Sequence, residues 1–507
     1  MLMKNNGPTV RPAADEALAI PQLATAPKTV VKERPNLNAQ LNANIKITTQ
    51  ARHYALAELA RRAGVPLDFF RSWRLSWTED RMVIEIPNGT NKKITFPYAS
   101  TAVLKGLAEG KISTAGASWM NNTKPRRIET DLVVPFVGGE SAARRPLFEL
   151  AGQDHLECAL DLPLATLLTL SRWEETLDVP GDVHGRFVAS SSVATRDGFL
   201  ERPIVDEYGL AFEQALQAIF PSWPRQAREA RAKLSLDADH VGIPFSWKSA
   251  LRHTTHYHTP LDSGRDVLGW MRGIETPDLR ALRQAVMLCT ECGLDTCVYW
   301  KASPPGPRDS GYDPRDPRVR QVINWLLGIG VESGVQPGYA TFRSPEKLRR
   351  EISVLREVLG DGPLGGRQHY LRWRPDTWIH WESCGLAYDT SVGFADRIGF
   401  RAGTCIPYRP WLLSLNRRAE LLEVPLIAMD RSLMGYMHLN CDQAVAAVKS
   451  CLDRCRAVGG VLTIVWHNNT YLDPEYRATY LNLLSLCSGL ENYNWRTDNW
   501  EQSSSLA

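Results

Sequence analysis

The sequence predicts an α/β protein, a parallel sheet or barrel preceded by a smaller α+β region, and three observations carry that reading. After Lys233, short apolar strand-like runs alternate with helix-like runs, the pattern of a sheet whose crossovers are helices. Upstream, the alternating runs 82–86 and 93–96 flank Asn88-Gly89, a turn pair suited to a hairpin. Polar residues follow several of the later runs, where barrel enzymes keep their active groups.

Residues 1–45 carry five prolines and no aromatic residue precedes Tyr54, so this stretch buries little surface and reads as a disordered tail. A helix over 54–62 and the hairpin then make a small α+β domain, 46–150. Residues 151–230 read as helices and loops that connect it to the barrel, 231–490, and include Leu170-Ser-Arg-Trp-Glu-Glu175 and Gly185-Arg-Phe187. Barrel strands are expected at 234–236, 296–300, 330–335, 387–389, 422–429 and 461–466. Helices are expected at 279–288, 345–358 and 441–457, with 491–507 as a C-terminal tail. The helix from 345 has Ser344 to cap it, Pro345 in its first turn and Gly360 to end it. Its apolar residues Leu348, Ile352, Leu355 and Leu359 form one face.

A chain of 507 residues with 44% hydrophobic content is long enough for more than one core. Its formal charge of +3 is too small for a strong nucleic-acid field, so no nucleic-acid partner is expected. Ten dilute cysteines and the lack of a secretory pattern point to a cytoplasmic protein with reduced thiols. No apolar run is long enough for a membrane span. Oligomeric state is left open by the sequence.

The chemistry begins at Leu234-Ser-Leu-Asp-Ala-Asp239. Residues two apart on a strand share a face, so Asp237 and Asp239 repel unless a cation or a proton separates them. That spacing suggests a general base beside a metal ligand; the alternative is a strand-end turn with solvated acids. Later runs add Gln336-Pro-Gly-Tyr339, Arg367-Gln-His-Tyr370, Asp389-Thr-Ser391 and His467-Asn-Asn469. Converging at one barrel mouth, such groups could bind a cation, activate water and protonate a leaving group.

In these segments the chain resembles the polysaccharide deacetylases, the NodB-homology family of carbohydrate esterases, over roughly residues 231 to 475. The stretch 234–239 resembles the first motif, Glu332-Ser-Gly-Val-Gln-Pro-Gly-Tyr339 the second and Arg367-Gln-His-Tyr370 the third. Tyr388-Asp-Thr-Ser-Val-Gly393 with Gly399-Phe-Arg-Ala-Gly403 looks like the fourth, and Val461-Leu-Thr-Ile-Val-Trp-His467 like the last. The likeness is greatest to a branch with an N-terminal accessory domain. It implies a distorted (β/α) barrel and hydrolysis of an N-acetyl or similar N-acyl group on an amino sugar or glycan precursor. It further implies Asp237 as general base, His467 as general acid, Arg367 holding Asp237 ionised, and Asp239 on a divalent metal.

The family's second motif supplies two metal-binding histidines four residues apart, and here those positions hold Gln336 and Ala340. His369 is the candidate replacement, giving a set of Asp239, His369 and Gln336 for zinc, with manganese, nickel or cobalt as alternatives. Tyr339, Tyr370, Asp389, Arg401 and Trp466, within or beside the motifs, are the expected contacts to a small-molecule or glycan substrate. Two alternative functions stand beside this one: a weak or inactive barrel that binds a glycan or biosynthetic partner, and a hydrolase of a non-sugar linear or cyclic amide.

Other clusters read as structural. His253-Thr-Thr-His256-Tyr-His258 lacks a neighbouring carboxylate or thiol. Cys289 and Cys292 with Cys297 lack a second Cys pair and read as buried thiols, as do Cys451 and Cys455. Trp373, Trp378, Trp381 and Trp411 read as half-buried core before sugar platforms.

Overall fold

The structure, a computed structural model, describes residues 47–497 apart from 89, 138–144, 225–226, 243–267, 270 and 273–274. The expected N-terminal tail and the His253, His256 and His258 cluster lie outside the described residues.

The hairpin forms where the alternation placed it, as strands Arg81–Asn88 and Thr90–Pro97 in antiparallel register. They belong to a five-stranded sheet ordered Arg74–Trp77, Arg81–Asn88, Thr90–Pro97, His155–Cys158, Phe148–Leu150. Met82, Ile84, Ile86, Ile94 and Phe96 all point inward and are buried, the period of two expected of a half-buried strand. The helix that covers them comes from the connecting region. Ile204–Ile219 brings Phe212 against Phe96 and Phe148, the latter pair stacked at 5.6 Å between centroids. Thr49–Arg62, capped by Thr48 accepting from the Ala51 N–H, starts earlier than its apolar pattern suggested.

The second sheet is parallel and curls into an open barrel. Its order is Leu422–Glu423, Tyr388–Asp389, Gly365–Gly366, Glu332–Val335, Thr296–Trp300, Arg231–Asp237, Val461–His467, Ala428–Met429, and Glu491–Asn492 also pairs with Arg231–Asp237. The expected C-terminal tail therefore begins inside the sheet. Among the described residues no ladder closes the sheet between its two end strands. These end strands replace the single run expected at 422–429. Pro425 lies between them, has no N–H to donate, and breaks the ladder. Strand Gly365–Gly366 has no apolar signature because side chains do not fit there. A Cβ on Gly366 would lie 1.8 Å from the Val335 carbonyl oxygen.

Helices Pro277–Glu291, Pro317–Gly328, Pro345–Leu359, Pro375–Ser383, Cys441–Val458 and Pro474–Cys487 surround the sheet. Pro345–Leu359 is capped by Ser344 and ended by Gly360 at φ 82°, with Leu348, Ile352 and Leu355 buried. Pro317–Gly328, not foreseen, carries the same kind of start: Asp316 accepts from Arg318 N–H ahead of a proline in the first turn. The buried ion pair of Glu175 with Arg401 ties the upstream layer to the barrel, while Arg62 with Asp206 and Arg172 with Glu175 hold that layer together. All ten cysteines are free.

Candidate active site

The C-terminal ends of the strands carry the charged groups. Arg231–Asp237 and Val461–His467 pair in parallel with Asp237 directly opposite His467, so the last residues of both strands reach the same mouth. Glu332–Val335 delivers Gln336, and the Gly-Gly strand delivers Arg367 and His369. The backbone after His369 turns sharply, with Tyr370 at φ 63° and Leu371 at φ 52°, conformations that non-glycine residues hold only when their surroundings enforce them.

Asp237 is 2% exposed. Arg367 Nη1 donates to its Oδ1 at 2.7 Å, and the same guanidinium donates to Ser235 Oγ at 2.8 Å. Gln336 Nε2 donates to Asp237 Oδ2 at 3.1 Å and to Asp239 Oδ1 at 2.9 Å, bridging the two acids. His467 Nε2 stands 4.0 Å from Asp237 Oδ2 and 3.8 Å from Asp239 Oδ2. Its other ring nitrogen is held by Asp430: Nδ1 to Oδ1 is 2.7 Å, and Asp430 also accepts from the His467 N–H and from Thr470 Oγ1. A proton shared on Nδ1 leaves Nε2 aimed at the cleft.

Across the mouth, His369 Nδ1 lies 2.8 Å from Asp309 Oδ1, and its Nε2 is 3.4 Å from Asp239 Oδ1. Lys301, which directly follows Thr296–Trp300, is 1% exposed. Its Nζ is 3.1 Å from Asp309 Oδ1 and 3.1 and 3.2 Å from the two nitrogens of His369.

These neighbours set the proton affinities. Burial raises the Asp237 carboxyl above its ordinary value, and Arg367 and His467 only partly counter it. Arg367 thus acts in the expected direction, toward the ionised form of Asp237, against a larger opposing effect of burial. Burial also acts against the Asp239 carboxylate, but His369, His467 and Lys301 outweigh it and hold Asp239 well below the usual range. Burial opposes charge on His467, yet Asp430, Asp239 and Asp237 carry the imidazole up to about 9. At neutral pH His467 is thus a cationic proton donor beside a carboxylate that binds protons more readily than usual. That is the pairing acid–base catalysis requires.

The expected metal ligands meet here, but their arrangement does not fit a divalent ion. Gln336 turns its amide N–H, and not its Oε1, toward both aspartates, so the side of the amide that meets the expected ligand Asp239 carries donors. A metal on His369 Nε2 would stand at most about 5 Å from the Lys301 ammonium, adding a ~2 Å metal–nitrogen bond to the lysine contact. At an effective dielectric near 20, a divalent ion there meets a repulsion of about 6 kcal/mol. No group of three His, Cys, Asp or Glu side chains among the described residues is disposed to hold a metal. The zinc expectation, with its manganese, nickel and cobalt alternatives, thus meets the Lys301 ammonium beside the expected ligand His369.

Of the expected substrate contacts, Tyr339 and Tyr370 line the mouth, with ring centroids 5.2 Å apart. A loop from the connecting region joins them: His184 Nδ1 is 3.1 Å from Tyr339 Oη, and Arg186 donates to the Tyr370 carbonyl at 3.1 Å and to Tyr436 Oη at 2.9 Å. Arg372 lies over the Tyr339 ring at 3.8 Å. The other three contacts are corrected by the structure. Trp466 neighbours His467 on a strand and so faces the other way, packing on Tyr476 and Tyr480 of Pro474–Cys487. Arg401 is buried against Glu175. Asp389 is fully buried beside Glu423, hydrogen-bonded by Ser391, with its carboxyl pushed up to about 7 chiefly by burial. Trp373, Trp378, Trp381 and Trp411 are all core residues.

Motif matching does not reach Lys301, Asp309 or Asp430. Lys301 and Asp430 nevertheless carry the positional signal that singled out Asp237, a charged residue at or directly after a strand's C-terminal end. Asp309 sits in a loop with no such marker.

Comparison with known proteins gives a family of unknown function, DUF7033, whose model matches residues 41–221, upstream of the barrel. No curated protein matches the chain. Among solved structures, a protein of Mycobacterium smegmatis described as a polysaccharide deacetylase is 16% identical, covering 54% of this chain and 88% of its own, with a TM-score of 0.37. The Puue allantoinase is 15% identical, covering 57% and 95%, with a TM-score of 0.38. A Pseudomonas aeruginosa protein described as a polysaccharide deacetylase is 14% identical, covering 57% and 98%, with a TM-score of 0.38. No described helix is long and apolar enough to cross a membrane.

Proposed function

We propose that this chain is an amide hydrolase that removes an N-acetyl or similar N-acyl group from an amino sugar or glycan precursor. The observation that carries the reading is the Asp430–His467–Asp237 arrangement, in which one carboxylate holds the imidazole by Nδ1 and leaves Nε2 facing a second carboxylate.

In this reading Asp237 takes a proton from water as its oxygen bonds to the acyl carbon. His467 gives its Nε2 proton to the amine nitrogen as the carbon–nitrogen bond breaks. The product acid passes its remaining proton to the amine, so carboxylate and ammonium leave, and Asp237 returns the proton taken from water to His467 Nε2, which restores both groups. Arg367 and Gln336 orient Asp237, and Tyr339 and Tyr370, packed edge to face beside His369, would contact the substrate.

The test is acetate release from N-acetylated amino sugars and their oligomers by wild type and Asp237→Asn. Acetate from wild type alone supports the reading. Ammonia or a ring-opened product from linear or cyclic amides, without acetate, would transfer the site to non-sugar amides. Glycan binding with no turnover of either class would leave only a binding barrel.

A further inference from the structure

The geometry points to Lys301 as a resident cation that takes the place of a divalent metal in this site, making the reaction metal-independent. This rests on the hydrolase reading of the same site. Lys301 was singled out by no motif. Its place in the fold argues for it: it is the residue next after the strand paired with Arg231–Asp237, and its stem runs through the core to put Nζ between Asp309 and His369.

Three features support the substitution. First, Nζ is almost equidistant from the two nitrogens of His369, so it lies along neither nitrogen's own hydrogen-bond axis; it is held by charge and burial. Second, its neighbours form a closed set. Asp309 receives Lys301, His369 Nδ1 and the Tyr339 N–H, while His369 Nε2 turns to Asp239. Third, the carboxylates already accept from the protein: Asp237 from Arg367 and Gln336, Asp239 from Gln336, Asp309 from Lys301 and Asp430 from Thr470, so a divalent ion would have to displace existing contacts in a buried cluster. Gln336 completes the set by donating to both aspartates where an additional cation would otherwise separate them.

Lys301 is nearly inaccessible and acts through Asp309 and His369, so it is a positioning residue. Its charge holds Asp309 and His369 in place beside Asp239, where a divalent cation would otherwise do so.

The experiment is metal uptake, which reads no turnover and so stands apart from the fate of the hydrolase reading. Wild type, Asp239→Ala, Lys301→Met, Lys301→Arg and the Lys301→Met/Asp239→Ala double variant are dialysed against manganese and against zinc, and bound metal is measured. Wild type and Asp239→Ala should hold equal metal. Lys301→Met should gain a near-stoichiometric site that Asp239→Ala removes, and Lys301→Arg, which keeps the charge, should not gain it. Near-stoichiometric metal in wild type that Asp239→Ala abolishes would overturn the inference, and it does so even if Lys301→Met fails to fold. A folded Lys301→Met protein that gains no metal would likewise overturn the claim that the ammonium stands in a cation's place.

Discussion

His467 Nε2 and Asp237 Oδ2 lie 4.0 Å apart at the ends of two paired strands, with Asp237 opposite His467 in the ladder. The register therefore fixes their relation before any loop is placed. Asp430, at the end of a strand paired on the other side of Val461–His467, closes the arrangement from behind.

Asp237→Asn should lower acetate release by roughly 10²–10⁴-fold, the range a positioned general base contributes. The amide keeps size and most hydrogen bonding, so thermal unfolding followed by circular dichroism should show a folded protein. Equal steady-state rates in variant and wild type would remove Asp237 from the mechanism.

The rate should be bell-shaped in pH. Asp237 must be ionised, and its carboxyl lies above the ordinary value, so the acid limb should fall at higher pH than an exposed aspartate would give. His467 must be protonated, so activity should decline as pH rises through about 9. Asp430→Asn removes the largest influence holding that proton, and should shift the basic limb to lower pH. An unmoved limb in that variant would mean that His467 is not the acid.

The same imidazole links folding to pH. Its folded value of about 9 exceeds the ordinary 6.5, so its contribution is complete below pH 6.5 and is lost as pH rises through about 9. Integrated over that window the contribution is about 3 kcal/mol. Wild type should lose more stability to urea between pH 6.5 and 9 than His467→Gln, whose amide cannot titrate.

Arg367→Met should cost about 3–5 kcal/mol of stability, because it leaves the Asp237 carboxylate buried without its partner. The Arg367→Met/Asp237→Asn double variant should recover part of that loss in chemical denaturation. Additive losses would show that the pair is not energetically coupled.

Arg401→Met should destabilise the fold by removing one of the two guanidinium partners of buried Glu175, yet leave KM unchanged, since its guanidinium is buried away from the mouth. Tyr339→Ala and Tyr370→Ala should do the opposite, raising KM with little change in the melting temperature. A raised KM in Arg401→Met at full folding would return Arg401 to the substrate.

Local chemistry made much of this readable. The hairpin, the cap–proline–glycine punctuation of Pro345–Leu359 and the strand-end acids depend on near neighbours, so the sequence alone determined them. The opposed faces of Trp466 and His467 follow from strand periodicity as well, which turns Trp466 onto Tyr476 and Tyr480 and away from the mouth. Tertiary structure alone decided which charges meet. Lys301 and Asp309, from the loop after Thr296–Trp300, meet His369 from a distant segment, and Asp430 reaches His467 only because Ala428–Met429 pairs beside Val461–His467. No spacing in one chain encodes such encounters, because strand order in a parallel sheet is set by how helices and core close together. The residues of the mouth are legible in the sequence, but whether they hold a metal or a lysine is a property of the folded barrel.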